Sequence, residues 1–215
     1  MTDTQRSYLP AAGKDWALPF YDPFVKLFGG DSARKVLLNQ AALTPGLRVL
    51  DIGCGTGTLA VLIKRLYPGV SVVGLDPDPK ALARARQKAD HEHLDVQFDR
   101  GFSDQLPYAQ ASFDRVFSSL MYHHLPHDEK KGALREVRRV LRPGGSFHMM
   151  DFAGPHDHHG LFAHLFHAGQ RLSDNNESAI LELLHNSGFS SAQKIAARHL
   201  IFGPIAYYRA SVLLT

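Results

Sequence analysis

Apolar residues change their spacing repeatedly along this chain. Over residues 31–43 they recur at helical intervals, with Ala33, Val36, Leu37 and Ala41 on one face, Asp31 placed as an N-cap, and Pro45 and Gly46 closing the element. From Leu47 onward short apolar runs alternate with helical patterns. Strands are predicted at 47–52, 70–76, 94–99, 113–120 and 146–152. Helices are predicted at 58–67, stopped by Pro68 and Gly69, and at 78–90, with Asp78 as N-cap and Pro79 in the first turn. A third fills 127–141, with Leu134, Val137 and Leu141 inward and Pro143, Gly144 and Gly145 ending it. The tail differs: a helix at 177–189 is followed by two strand-like runs, 192–200 and 205–213. Two strands in succession read as an antiparallel hairpin at a sheet edge. The whole predicts an α/β fold, a doubly wound and mainly parallel seven-stranded sheet ending in that hairpin.

Length and charge narrow the picture. The 215 residues suit a single domain, 1–215, with 44% hydrophobic residues to fill a core. A formal net charge of +3, with no long run of lysine and arginine, argues against a nucleic-acid partner, which needs a clustered basic face. Cys54 is the only cysteine, so no internal disulfide forms, which fits a reducing compartment. The first residues lack the layout of a signal peptide, and no apolar run reaches the roughly 18–20 residues that span a bilayer. A cytoplasmic protein is expected, with no membrane span, as monomer or homodimer.

Candidate chemistry concentrates in "VLDIGCGTGTLAVLIKRLYPGVSVVGLDPDP", residues 49–79. A strand enters a glycine loop, a helix follows, and a second strand ends in an acid. The order is that of a nucleoside-binding unit, with ligands held at the carboxyl ends of the strands. The glycines Gly53, Gly55 and Gly57 fall at G-x-G-x-G, and Thr58 stands where a dinucleotide fold carries its third glycine. That departure counts against NAD. Gly57 is expected to keep backbone bare where a ligand lies close. Asp76, ending the second strand, suits the two ribose hydroxyls and would repel a 2′-phosphate. A plain strand-to-helix turn is the bland alternative, and an NAD-dependent oxidoreductase the competing enzyme.

Three segments carry a resemblance: "VLDIGCGTG", then "GFSDQLPYAQASFDRVFSS", then "LREVRRVLRPGG". Together with Asp76 they resemble, in order and spacing, the class I S-adenosylmethionine-dependent methyltransferases, of the small-molecule type similar to the ubiquinone and menaquinone methyltransferases. The resemblance covers about residues 45–152, which it marks as the cofactor-binding core. It implies S-adenosylmethionine as cofactor, leaving S-adenosylhomocysteine as product; it is not specific for the methyl acceptor, which is expected to be small or lipid-like. It places Asp51, Gly53, Cys54, Gly55 and Gly57 at the methionine end, and Asp76 with Pro77 at the ribose. Gly101, Phe102 and Ser103 fall at the adenine, and Ser118, Ser119 and Leu120 after the fourth strand. Phe102 departs from the family, in which many relatives carry an acid there; a ring can pack on the adenine face but cannot accept its amino group.

Methyl transfer from a sulfonium needs alignment and exclusion of water rather than a metal or a covalent residue. His123 and His124, in "MYHHLP", follow the fourth strand where the methyl group should point, as a possible base or as acceptor-positioning groups. Residues 1–30 concentrate Trp16, Phe20, Tyr21 and other aromatics in an arm expected to act as a lid, with Tyr21 reaching the cofactor, or to cover a sheet face. Residues 153–176 are a possible acceptor-site insertion. The histidine-rich stretch 156–167 invites a metal, but no second motif supports one, and no metal is expected. A non-catalytic protein of the same fold that binds an adenosyl ligand stays open.

Overall fold

The computed structural model describes residues 30–153, 176–200 and 203–214. Seven strands form one sheet in the order β3-β2-β1-β4-β5-β7-β6. They are β1 (Arg48–Ile52), β2 (Ser71–Asp76), β3 (Gln97–Arg100), β4 (Phe113–Ser119), β5 (Leu141–Phe152), β6 (Ser191–Leu200) and β7 (Gly203–Ser211). The first five are parallel. β7 runs antiparallel to both β5 and β6. The sheet order reverses between β1 and β4, so the two chain directions diverge there and leave a crevice at the strand ends.

Among the described residues, five helices cover the two faces: α1 (Gly30–Asn39), α2 (Thr58–Leu66), α3 (Pro79–His91), α4 (His127–Val140) and α5 (Glu177–Asn186). Leu37 of α1, Ile63 of α2 and Ala85 of α3 pack with Val49, Phe117 and Tyr207 on one side. On the other, Leu134 and Val137 of α4 and Ile180 and Leu184 of α5 pack with Leu50, Val116 and Met149. Central strands are therefore apolar on both faces, which is why β1 and β2 read as continuous rather than alternating runs. Asp78 caps α3 as expected, its carboxylate accepting the Lys80 N–H at 2.8 Å with Pro79 next in line. In α4, Asp128 and Glu129 lie in the first turn and Arg138 and Arg139 in the last, each sign matching the helix end it meets.

Some boundaries differ from the sequence pattern. Asp31 lies inside the first turn of α1 rather than at its N-cap, because the helix already includes Gly30; its carboxylate takes the Arg34 guanidinium instead. β3 starts at Gln97, since the chain from Leu94 is still closing the end of α3 through its N–H to Ala89. β5 starts at Leu141, directly after α4: Leu141 pairs with Phe113, the ladder breaks at Pro143–Gly145, and pairing resumes at Ser146 with Arg115. Among the described residues, no helix is long and apolar enough to cross a membrane.

Candidate functional site

The glycine loop leaves the carboxyl end of β1 at the crevice. Gly53, Gly55 and Gly57 all have positive φ, at 63°, 53° and 74°. A Cβ on Gly53 would lie 2.1 Å from Cγ of Met121, in the segment after β4, so bare backbone here lets that segment close over the loop. Gly57 corrects an expectation. Its missing Cβ faces Ala85 of α3 at 2.7 Å and Phe98 of β3 at 3.0 Å, not ligand space. This glycine allows α2 and its loop to pack on α3 and β3, the task a dinucleotide fold gives its third glycine.

Asp76 ends β2 beside the loop. One carboxylate oxygen accepts the Gly55 N–H at 2.8 Å and the other the Asp78 N–H at 2.9 Å. Burial pushes this carboxyl up to about 6, against the pull of those two N–H groups. Each oxygen keeps a second lone pair, enough for one hydroxyl apiece. Asp76 is thus both a tie that shapes the loop and an acceptor pair at the strand end. The Cys54 thiol is pushed well up by burial and by the Asp76 and Asp51 charges, so it stays protonated and offers no nucleophile.

Asp51 is the unusual group. It is only 1% exposed, and neither of its carboxylate oxygens has a hydrogen-bond partner among the described residues. Burial pushes it up to about 8, the Arg34 charge and the Ala60 backbone N–H oppose the shift, and Asp76 adds to it. Arg34 of α1, itself buried, has an unpartnered Nε. Ser119 shares the Asp51 side of the sheet, since Ser119 lies two residues beyond Phe117 and Phe117 pairs with Asp51. The hydroxyls of Ser119 and of the fully buried Ser118 are also unpartnered. Buried polar groups are rarely left this way. Here both Asp51 oxygens, the Arg34 Nε and two serine hydroxyls have no hydrogen-bond partner among the described residues, while another Arg34 nitrogen is held by Asp31.

Beyond β4, Leu120 is held at φ 55° by its N–H to the Met150 carbonyl, 2.8 Å. The chain then makes a 3-10 turn, Tyr122–His124. His123 is buried, and its Nδ1 lies 2.6 Å from Oδ1 of Asp151, at the end of β5. The other Asp151 oxygen accepts the His123 backbone N–H at 3.1 Å, and Oδ1 also accepts the Phe152 N–H at 2.7 Å. Burial pushes Asp151 up, but the His123 charge and these hydrogen bonds outweigh it and hold the carboxyl below its usual range. The imidazole is gripped further by the rings of His124, at 4.0 Å, and Phe152, at 4.9 Å.

The structure thus brings Asp51, Gly53, Cys54, Gly55, Asp76, Pro77, Ser118, Ser119, Leu120 and His123 to one edge of the sheet. Gly101, Phe102 and Ser103 follow β3 at the same edge, buried, with Asp104 pressed against Gly132 of α4, where a Cβ would lie 2.8 Å from its own. Sequence reasoning missed Arg34 and Asp151. A charged residue among the apolar positions of a helix is the signal Arg34 offered; Asp151, an acid ending an apolar strand, repeats the pattern of Asp76. The expectations for Tyr21, the arm 1–29 and the histidines of 156–167 lie outside the described residues, as does nearly all of the 153–176 segment.

Comparison with known proteins agrees with this geometry. A family model described as a methyltransferase domain matches residues 49–145. A demethylmenaquinone methyltransferase of Deinococcus radiodurans is 40% identical over 133 residues, 62% of this chain and 54% of the relative. The demethylmenaquinone methyltransferase of Thermus thermophilus is 37% identical over 140 residues, 64% of this chain and 63% of the relative. The chain therefore spans little more than half the length of these curated relatives. In structure it resembles a phosphoethanolamine N-methyltransferase of Haemonchus contortus solved with S-adenosyl-L-methionine, at a TM-score of 0.76 and 17% identity, over 95% of this chain and 58% of that one. With the glycine loop, the strand-end acids and the antiparallel seventh strand all in place, residues 49–145 are similar to the methyltransferase domain family, and the fold is that of the class I S-adenosylmethionine-dependent methyltransferases.

Proposed function

We propose that this chain moves the methyl group of S-adenosylmethionine to a small, mostly apolar or aromatic acceptor. The observation that carries the reading is the buried Asp51 carboxylate beside the glycine loop, whose oxygens have no hydrogen-bond partner among the described residues. Asp51 faces an ammonium, Arg34 a carboxylate, and the serine hydroxyls supply the remaining hydrogen bonds. Asp76 takes the ribose hydroxyls, and Phe102 with Gly101 and Ser103 borders the base. The residues fit the cofactor end for end.

When bound, S-adenosylmethionine supplies a methyl group on a sulfonium sulfur, already activated for displacement. The chain's residues do the rest. The glycine loop and Asp76 fix the nucleoside, Asp51 and Arg34 fix the amino-acid end, and the turn at Met121–His124 borders the acceptor space. Fixing both partners along one line removes most of the entropic cost of their meeting, and closure over the loop keeps water from the nucleophile. The two relatives named for demethylmenaquinone support an acceptor of quinone-like size and character, with O, N or C as the accepting atom.

Calorimetry tests the reading with three ligands. S-adenosylmethionine and S-adenosylhomocysteine should bind and NAD should not; NAD bound with neither adenosyl ligand bound would overturn it. Methyl transfer to a phenol and quinol panel, with products identified by mass, then separates an enzyme from a protein of this fold that only binds the adenosyl ligand.

A further inference from the structure

The segment that closes over the glycine loop does so with a methionine. A Cβ on Gly53 would stand 2.9 Å from Cβ of Met121 and 3.2 Å from its Sδ, so the thioether side chain lies along the loop. Met121 is half-buried. Met149 and Met150, packed one in each face of the sheet, are 0% and 1% exposed. Among the described residues, Met121 is therefore the one methionine open to solvent. The competing sulfur is Cys54, and burial together with the Asp76 and Asp51 charges holds its thiol protonated. A thiol reacts with peroxides far more slowly than a thiolate does.

The backbone makes the Met121 contact consequential. Leu120, just before it, is held at φ 55°, a region that a branched side chain occupies only under strain. Its N–H to the Met150 carbonyl, 2.8 Å, secures it on one side. On the other, the Met121 side chain rests against the bare backbone of Gly53. A thioether suits that place because it is flexible, unbranched and weakly hydrated. A sulfoxide does not. It is larger by one oxygen, polar and a strong hydrogen-bond acceptor. The loop has few donors to offer it. The N–H groups of Cys54, Gly55 and Gly57 are already committed to the Leu75 carbonyl, the Asp76 carboxylate and the Cys54 carbonyl.

Resting on the cofactor reading above, we infer that Met121 is an oxidation site: a hydroperoxide converts it to the sulfoxide, the segment 120–124 lifts from the loop, and the site loses its hold on the adenosyl ligand. The step balances with the peroxide as the sole co-reactant. A sulfur lone pair attacks the outer peroxide oxygen and forms the S–O bond. The O–O bond breaks and its electron pair leaves with the other oxygen. The proton of the attacked hydroxyl passes to that fragment, which becomes water or an alcohol. Sulfur is oxidised by two electrons and the peroxide is reduced by two. Two thiols reverse the change, becoming a disulfide while the added oxygen leaves as water.

The test uses the full chain, hydrogen peroxide, peptide mass mapping, and calorimetry with S-adenosylhomocysteine. Among the described residues Met121 should gain an oxygen first, ahead of Met149, Met150 and Cys54. At that stage affinity should fall at least about tenfold, and the Leu120 amide should exchange with solvent at least about tenfold faster. The two methionine sulfoxide reductases, one for each epimer, should restore both. Met121→Leu keeps an apolar cover without a sulfur. Whatever its starting affinity, peroxide should change it less than about twofold. Met121→Gln, polar like the sulfoxide, should show the loss with no peroxide added. First oxidation at another described residue, an oxidised Met121 that binds within about twofold, or an equal peroxide loss in Met121→Leu would overturn the inference. An untreated chain that binds no adenosyl ligand would sink the cofactor reading, and the effect on the ligand with it. Binding that is sound before peroxide and unchanged after Met121 is oxidised would sink this inference alone.

Discussion

Two carboxylates end strands at the same edge of this sheet and live in opposite conditions. Asp51, near the end of β1, is buried with no hydrogen-bond partner for its oxygens among the described residues and is pushed up to about 8. Asp151, near the end of β5, is equally buried but holds an imidazole and two backbone N–H groups, and stays below the ordinary carboxylate range. Burial costs both groups the same hydration; only one is repaid within the chain. The difference teaches which half of the site is finished by the fold and which half waits for a ligand. At the end of β5 the carboxylate is satisfied within the fold. The β1–β2 side carries a standing deficit that a zwitterion would relieve.

Removing each carboxylate should break the comparison with opposite signs. Asp151→Ala strips the anion from a buried imidazole and two N–H groups, and should cost about 2–4 kcal/mol, or roughly 5–15 °C in Tm by calorimetric scanning. Asp51→Asn at alkaline pH removes a charge the apo fold disfavours, and should raise Tm by a few degrees while weakening S-adenosylhomocysteine at least about tenfold. A drop in Tm for both variants would show that Asp51 is satisfied after all. Gly57→Val combines a β-branched side chain at φ 74° with a Cβ 2.7 Å from Ala85, and should cost about 2–4 kcal/mol of stability. An unchanged melt would mean α3 can retreat from the loop.

Ligand binding sharpens the same contrast at smaller scale. Asp76→Ala should weaken S-adenosylhomocysteine about 10- to 100-fold, the loss of about 1.5–3 kcal/mol in charged hydrogen bonds, with the melt as control for the tie to Gly55. Unchanged affinity in a folded variant would remove Asp76 from the ribose. The pH dependence is smaller. Asp51 and Asp76 are raised in the folded state, so the apo fold binds extra protons between the ordinary carboxylate value and about 8, and its stability falls as pH rises through that window. Asp151 is lowered, so its contribution is present above the ordinary value and is lost as pH falls through the folded one. Affinity for a ligand bearing an ammonium should rise about tenfold between about pH 6 and about pH 8 as Asp51 ionises, read by calorimetry, and a flat profile would place the ammonium elsewhere.

What the sequence made legible was local. The strand, glycine loop, helix and strand-end acid of residues 48–76 lie within one βαβ unit, so their contacts are set by neighbours in the chain, and Asp51, Asp76 and the glycines were all readable there. The α3 cap was readable for the same reason. Gly57 was located but misjudged, because what fills its missing Cβ is Ala85 and Phe98, set by how α3 and β3 dock. His123 was readable as a residue type after a strand; its partner was not, since Asp151 comes 28 residues later and only the β4–β5 register brings the two together. Arg34 likewise depends on how α1 lies against the sheet. The start of β5 was obscured by Pro143–Gly145, which read as an end and are an interruption.

The last strand of the sheet has a consequence for how this molecule meets its own kind. Among the described residues β6 has one strand neighbour, β7, and its other side is a sheet edge whose N–H and C=O groups could pair with another strand. The pairing slips between Lys194 and Ala196, leaving Ile195 unpaired against β7 and 38% exposed. Such a bulge bends the edge and puts its hydrogen-bonding groups out of step with any straight strand that approaches, while Lys194 and Arg198 bring charge to the same edge. One surplus residue thus guards the open margin of a seven-stranded sheet against growing an eighth strand from a second molecule. Deleting Ile195 would straighten the margin, and association that rises with protein concentration would be the sign that the guard had gone.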